Sequence, residues 1–341
     1  MGRLIAWSAV VLASIAAAAD LVAAPTIAAS RVIECGVDDA HRPTVVTGVA
    51  MSPDGQTVAA ACDDHTVRIW DVATGALRVR LSGHRDWVRS VALSPDGQTL
   101  ASGANDRTVC LWNAASGERL LELPAFDHAV AAVSFHPNNQ QLAVAGFGET
   151  LEIINTSTGQ LSQQLDCPSA DARAVAFSPD GQRMAVAGRN GQIRLWNVMS
   201  GALERDITTN RQRIRALAFS PDGSRLASAG DGVTIHVVDL ASGGQDTTLP
   251  ARPAKVYAAV FLDNHTLATG GSDDRIRVWD LASRIVTKEL VGHTGSVAAI
   301  ACDRTGTTLV SGSYDTTLRI WDLRDTSAAP SVAQSPGDAV R

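Results

Sequence analysis

The sequence predicts an all-β chain of seven four-stranded antiparallel sheets set side by side around an axis, and three observations carry that prediction. A segment ending in Asp or Asn recurs seven times: RIWD at Asp71, CLWN at Asn113, EIIN at Asn155, RLWN at Asn197, HVVD at Asp239, RVWD at Asp280 and RIWD at Asp322. Their last residues stand 42, 42, 42, 42, 41 and 42 positions apart. A turn signature precedes each by about eighteen residues. It reads Ser-Pro-Asp-Gly at Ser52, Ser94, Ser178 and Ser220, and His-Pro-Asn-Asn at His136. It fades to Leu262-Asp263-Asn264 and Asp303-Arg304-Thr305-Gly306 in the last two units. Past the N-terminal region the apolar alternation has period two, and no helical periodicity competes with it.

Each unit reads as four strands in order. An inner strand such as Val88-Arg89-Ser90-Val91-Ala92-Leu93 runs into the Ser-Pro-Asp-Gly turn. There Pro fixes φ, Asp bonds backbone amides and Gly accepts positive φ. A second strand follows (Thr99 to Gly103), then a turn at Asn105-Asp106, then a third strand ending in Trp112. A Thr-Gly or Ser-Gly turn (Thr74-Gly75, Ser116-Gly117, Thr158-Gly159, Ser200-Gly201, Ser242-Gly243) opens the outer strand, for example Arg119 to Leu123. After Leu323 no fourth strand follows. The short run Arg31-Val32-Ile33-Glu34-Cys35 is therefore expected to supply the outer strand of the last unit and close the ring, which leaves fewer sheet edges open.

Composition agrees. The chain is 45% hydrophobic but only 4% aromatic, so Val, Ile, Leu and Ala must fill the core. A formal charge of −6 argues against nucleic acid as a partner, since that needs a basic face. The five cysteines (Cys35, Cys62, Cys110, Cys167, Cys302) form no CxxC pair and no metal-site spacing.

At the N-terminus, Arg3 is followed by the uncharged run Leu4 to Ala19, and Asp20 ends it. The run is short for a membrane span and fits an export signal, with small residues at Ala17-Ala18-Ala19 or Ala28-Ala29 before a cut. The expected organisation is an export signal or membrane anchor over residues 1–29, the repeat domain over 30–323, and a disordered Ser-, Pro- and Ala-rich tail over 324–341. The protein is expected to be exported, periplasmic or extracellular. Any membrane attachment would run through an uncleaved N-terminal segment.

The repeats resemble the WD-repeat β-propeller family over nearly all of Arg31 to Leu323, with period, turn and Trp-Asp segment in agreement. The resemblance implies a seven-bladed β-propeller of four-stranded antiparallel blades, closed by an N-terminal strand. It also implies a hydrogen-bonded tetrad of His, Ser or Thr, Asp and Trp in each well-formed blade. Two units carry the full set: His84, Ser102, Asp106 and Trp112, then His293, Ser311, Asp315 and Trp321. The sixth keeps Thr269, Asp273 and Trp279, and the first keeps Asp64 and Trp70. The third and fifth lose nearly all, with Gly148 and Ile154, then Gly232 and Val238, and are expected to be the softer blades.

His84, Ser102 and Asp106 have the residue types of a hydrolase triad. Their recurrence at His293, Ser311 and Asp315, each time with a Trp, reads instead as a structural network. No hydrolase elbow, metalloprotease, P-loop or dinucleotide fingerprint is present. No catalytic residue, metal or cofactor is expected.

The family resemblance points instead to a non-catalytic scaffold for protein–protein contact, using loops around one end of the central channel. The residues before each turn Asp are Asp63, Asn105, Phe147, Arg189, Asp231, Ser272 and Tyr314. Those leading into the inner strands include Arg85, Trp87, Asp171, Arg211, Arg213 and Lys255. The candidate partner-binding set is the aromatic group Trp87, Phe147 and Tyr314 with the basic run Arg189, Arg211, Arg213 and Lys255, residue types enriched at binding hot spots. An acidic peptide or protein segment is the expected partner, bound by a monomer. The competing readings are an exported regulatory or sensor propeller binding a small ligand, and a propeller enzyme using the channel. Both require ionisable residues converging from the inner strands, which read as mostly apolar at Val91, Val133, Val175, Leu217 and Ile300.

Overall fold

In the computed structural model, which describes residues 24–29, 31–38, 40–241, 246–251 and 254–324, seven antiparallel sheets follow one another along the chain. Blade 1 comprises Val46–Met51, Thr57–Cys62, Thr66–Asp71 and Leu77–Ser82. Blade 2 comprises Val88–Leu93, Thr99–Ala104, Val109–Asn113 and Arg119–Glu122. The inner strands of blades 3 to 7 are Val130–Phe135, Ala172–Phe177, Ile214–Phe219, Val256–Phe261 and Val297–Cys302. Each inner strand neighbours the next, and that of blade 7 neighbours that of blade 1, so the seven form a closed circle.

Closure is made by the segment read from the sequence. Arg31–Glu34 pairs antiparallel with Thr317–Asp322 of blade 7, with Arg31 opposite Ile320 and Ile33 opposite Leu318. Ile33 is buried in a core shared with Val46 and Val58 of blade 1 and Leu318 of blade 7. Burying a side chain of that size stabilises by ~1.5–3 kcal/mol. The same strand thus completes one blade and packs against the next.

One element was not read from the sequence. Thr26–Ile27 pairs in parallel with the outer strand Ile285–Leu290, making blade 6 five-stranded. The Glu289 N–H donates to the Pro25 carbonyl at 2.9 Å and the Val291 N–H to the Ile27 carbonyl at 3.1 Å. Ile27 and Ala29 pack onto the core between blades 6 and 7. These residues fall within the segment 1–29 that the sequence assigns to export. Residues 1–23, the Ser242-Gly243 turn and the tail from 325 onward lie outside the described residues.

The core sits between blades, because each sheet buries both faces against its neighbours. Ile69 and Leu81 of blade 1, for example, pack with Val88, Leu100 and Trp112 of blade 2. The Ser-Pro-Asp-Gly turns hold the strands in register. The Ser52 hydroxyl donates to Asp54 at 2.5 Å and accepts the Thr57 N–H at 2.9 Å, while Gly55 takes φ 70°. In the His-Pro-Asn-Asn turn Asn139 takes the glycine's place at φ 64°, a conformation Asn tolerates better than most residues. All five cysteines are free thiols. Burial pushes Cys62, Cys110, Cys167 and Cys302 up to about 12, so they behave as small apolar groups.

Candidate functional site

The channel mouth is shaped by one irregularity repeated in every blade. In blade 2, Val88 pairs with Ala104 and Ser90 with Gly103, so Arg89 is an extra residue without a counterpart on the next strand. Such a bulge re-aims the side chain it carries. The same register shift occurs in all seven inner strands. The bulge residues are Thr47, Arg89, Ala131, Arg173, Arg215, Tyr257 and Ala298. All seven line one cavity of about 700 Å³ at the mouth of the channel, together with Asp63, Trp87 and Tyr314.

Three arginines therefore converge from the inner strands, which corrects the sequence expectation. Val91, Val133, Val175, Leu217 and Ile300 are indeed apolar, but they occupy the fourth position of their strands. The bulge is the second. Reading the second column at the 42-residue period would have exposed Arg89, Arg173, Arg215 and Tyr257.

The arginines are held at their Nε edges. Arg89 Nε donates to Asn105 Oδ1, and Arg173 Nε donates to Asp171 Oδ1 at 2.7 Å. Arg215 makes two bonds to Asp231, at 2.7 and 3.4 Å. The guanidinium of Arg89 lies 5.4 Å, and that of Arg173 4.9 Å, from the centroid of the Phe147 ring. Arg215 lies 5.1 Å from that of Tyr257. Contacts of this kind fix a cation over a π face without neutralising it. Burial, and after it the charge of Arg173, lowers the pKa of Arg89, so these two cations repel each other. Burial opposes ionisation of Asp231, but the hydrogen bond and charge of Arg215 outweigh it and hold the carboxyl below its ordinary range.

The residues singled out from the sequence divide here. Trp87 and Tyr314 line the cavity and stay 48% and 54% exposed. Phe147 is half-buried beneath Arg89 and Arg173. Arg189, Arg211 and Lys255 are exposed but do not line the cavity. Arg213 is half-buried between two carboxylates, 3.4 Å from Asp171 and 3.7 Å from Asp231, so it ties blade 4 to blade 5.

The His–Ser–Asp–Trp sets lie inside their blades. Trp112 Nε1 donates to Ser102 Oγ at 2.9 Å, Ser102 Oγ lies 2.8 Å from His84 Nε2, and His84 Nδ1 lies 3.1 Å from Asp106. The chain of donors runs Trp to Ser to His to Asp, which puts the histidine proton on Nδ1. Trp321, Ser311, His293 and Asp315 repeat it at 2.9, 2.7 and 2.8 Å in the same order. Ser102 and Ser311 are fully buried, with their hydroxyls engaged in the network.

The remaining blades keep fragments. In blade 6 Trp279 Nε1 donates to Thr269 at 2.9 Å, while Asp273 is held by Arg277 at 2.6 Å in place of a histidine. Blade 1 uses the same substitution, with Arg68 buried against Asp64 at 2.6 Å. Blade 4 keeps Trp196 but has Val186 where the hydroxyl belongs, and the buried indole N–H finds no partner. Blade 5 keeps Ser228 but has Val238 where the Trp belongs, and the buried hydroxyl is likewise alone. Blade 3 lacks every member, and Glu152 Oε2 and His128 Nδ1 are buried there without partners.

Comparison with known families matches this architecture. The family model described as the IFT122 first beta-propeller matches residues 45–221. The model described as WD domain, G-beta repeat matches residues 243–280 and 284–322. Each of the latter matches starts before or within an outer strand and ends at the third strand of the following blade. The sequence repeat is therefore offset by one strand from the blade.

Proposed function

Since the chain belongs to the WD-repeat β-propeller family, we propose that it is a non-catalytic scaffold that binds a protein partner at the channel mouth. Propellers of this family serve generally as protein-interaction platforms. The single observation that carries the assignment of the face is the co-location of two exposed aromatics, Trp87 and Tyr314, with three arginines around one cavity. Tyr, Trp and Arg are the residues that dominate interface energetics. The partner segment is acidic on this reading, because the bulge positions carry three cations and no anion. The protein acts outside the cytoplasm on this reading, which the uncharged run Leu4 to Ala19 supports.

Affinity purification with quantitative comparison of Trp87→Ala/Tyr314→Ala against the unmodified protein tests the face. Recovery of the partner should fall at least tenfold, and equal recovery would remove this face from the assignment. Cell fractionation tests the location, and a protein found only in the cytoplasm would overturn it.

A further inference from the structure

We propose that the channel mouth seats one anionic side chain of an extended partner segment, a carboxylate or a phosphate, between the guanidinium groups of Arg89 and Arg173. The proposal rests on the reading of this face as the contact surface, and it names the chemistry of the group that enters.

The geometry singles out these two arginines from four. Arg213 lies between Asp171 and Asp231, and Arg215 spends two donors on Asp231, so both already have carboxylate partners. Arg89 uses only Nε, on the neutral Asn105, and Arg173 uses only Nε, on Asp171, a carboxylate it shares with Arg213; among the described residues the Nη groups of Arg89 and Arg173 meet no acceptor. The two arginines come from blades 2 and 4 and each lies against the Phe147 ring of blade 3, whose own bulge residue is the small Ala131, and all three bulge residues line the same cavity. Two like charges held together in a partly buried mouth are relieved by an anion that takes a charge-assisted hydrogen bond from each.

Of the acids near the mouth, Asp171 bonds Arg173 at its Nε edge and is shared with Arg213, which leaves Arg89 without a carboxylate partner. Asp63 faces the cavity from blade 1, with Oδ1 accepting the Val45 N–H at 2.8 Å, and Asp86 Oδ1 accepts the Trp87 N–H at 2.7 Å. Among the residues lining the cavity, the cations Arg89, Arg173 and Arg215 come from blades 2, 4 and 5 and the acid Asp63 from blade 1, while Asp171 and Asp231 beside the arginines offset part of their charge. An occupant whose anion points toward Phe147 is favoured over one that is anionic throughout.

A peptide fits better than a free anion. The cavity of about 700 Å³ far exceeds one carboxylate, and Trp87 and Tyr314 stand on its rim where the residues flanking the anion would lie. Recognition of acidic or phosphorylated motifs by clustered arginines is a recurrent binding mode.

Fluorescence anisotropy with three labelled dodecapeptides tests the idea. They share one Gly/Ser/Tyr sequence and differ only in a central Glu, phosphoserine or Gln. The Glu or the phosphoserine peptide should bind at least tenfold more tightly than the Gln peptide, and which of the two binds better identifies the source of the anion. The preference should vanish in Arg89→Gln/Arg173→Gln and persist in part in Arg89→Lys/Arg173→Lys, whose folding is checked by circular dichroism. Equal binding of the Gln peptide, a preference that survives the Gln variant, or no binding of any peptide would overturn the proposal. So would displacement by free glutarate at the same concentration as the Glu peptide, which would make the occupant a small anion. Loss of partner capture in Trp87→Ala/Tyr314→Ala but not in Arg89→Gln/Arg173→Gln would overturn this inference alone and leave the contact face in place.

Discussion

The Arg31 guanidinium donates to the carbonyl oxygen of Ala73 at 2.6 Å and also to that of Thr74. Arg31 belongs to the strand that completes blade 7, while Ala73 and Thr74 lie in the turn between the third and outer strands of blade 1. The clasp is therefore double, one strand of ladder hydrogen bonds to blade 7 and one side chain to blade 1. Arg31→Ala should lower stability by about 1–2 kcal/mol, the usual worth of one or two hydrogen bonds to a charged group. Calorimetry should show a melting temperature lower by a few degrees. Deleting residues 31–35, which also removes the Ile33 core contact, should cost far more, and an unchanged melting temperature would contradict the closure.

Blade 4 offers a gain. Trp196 has a buried indole N–H without an acceptor, and in blade 6 the equivalent Trp279 is satisfied by Thr269. Val186→Thr places the same hydroxyl at the same position and should stabilise by about 1 kcal/mol, the net worth of a buried hydrogen bond. Denaturant unfolding should move its midpoint upward, and a downward shift would show that the lost methyl packing outweighs the bond. Ser102→Ala does the reverse in blade 2, orphaning both Trp112 and His84. It should destabilise by about 1–3 kcal/mol.

Acid should loosen the two complete networks before it protonates their aspartates. Burial holds His84 and His293 below the ordinary histidine range, against the opposing pull of Asp106 and Asp315. Between those lowered values and about 6.5 the unfolded chain binds more protons than the folded one, so stability rises with pH across that window. It is lost as pH falls below about 6.5. A second loss follows below about pH 4, because hydrogen bonds hold the Asp106 and Asp315 carboxyls down despite burial. Melting temperatures from pH 7.5 to 5.5 should decline in the unmodified protein and hold more nearly level in His84→Gln/His293→Gln, which starts lower. Parallel slopes would show that other groups govern the acid limb.

Blades 3 and 5 should open first. They lack the His–Asp link that blades 2 and 7 keep, and Glu152 and His128 in blade 3 and Ser228 in blade 5 hold buried polar atoms without partners. Amide exchange should show lower protection in Gln141–Gly146 and Arg225–Gly230 than in Thr99–Ala104 and Thr308–Ser313. Uniform protection would mean that inter-blade packing alone sets the opening free energy.

The architecture was legible because the repeat period fixes it. Seven segments ending in Asp or Asn at near-constant spacing, a missing last strand and a spare strand at Arg31–Glu34 leave one way to close the ring. Two features were not legible. The pairing of Thr26–Ile27 with blade 6 involves two residues, too short to show alternation against the apolar run before it. The channel arginines were hidden by the bulge. In V-R-S-V the apolar residues at the first and fourth positions draw attention, and nothing local marks the second as the one displaced from the ladder. Trp87 and Tyr314 were found because they flank turns whose position the period dictates. Arg213 stands at a comparable place, but its charge is spent between Asp171 and Asp231, which only the folded chain could disclose.

Seven displaced residues, one per sheet, behave like the tumblers of a lock. None belongs to the cores that hold adjacent blades together, so exchanging Arg for Thr, Tyr or Ala at these positions rewrites what the opening admits while the surrounding barrel keeps its form. In this chain the tumblers at Arg89, Arg173 and Arg215 are cut long and cationic, and those at Thr47, Ala131 and Ala298 short. The proposed occupant is therefore expected off-centre, along the arc between the second and fifth sheets.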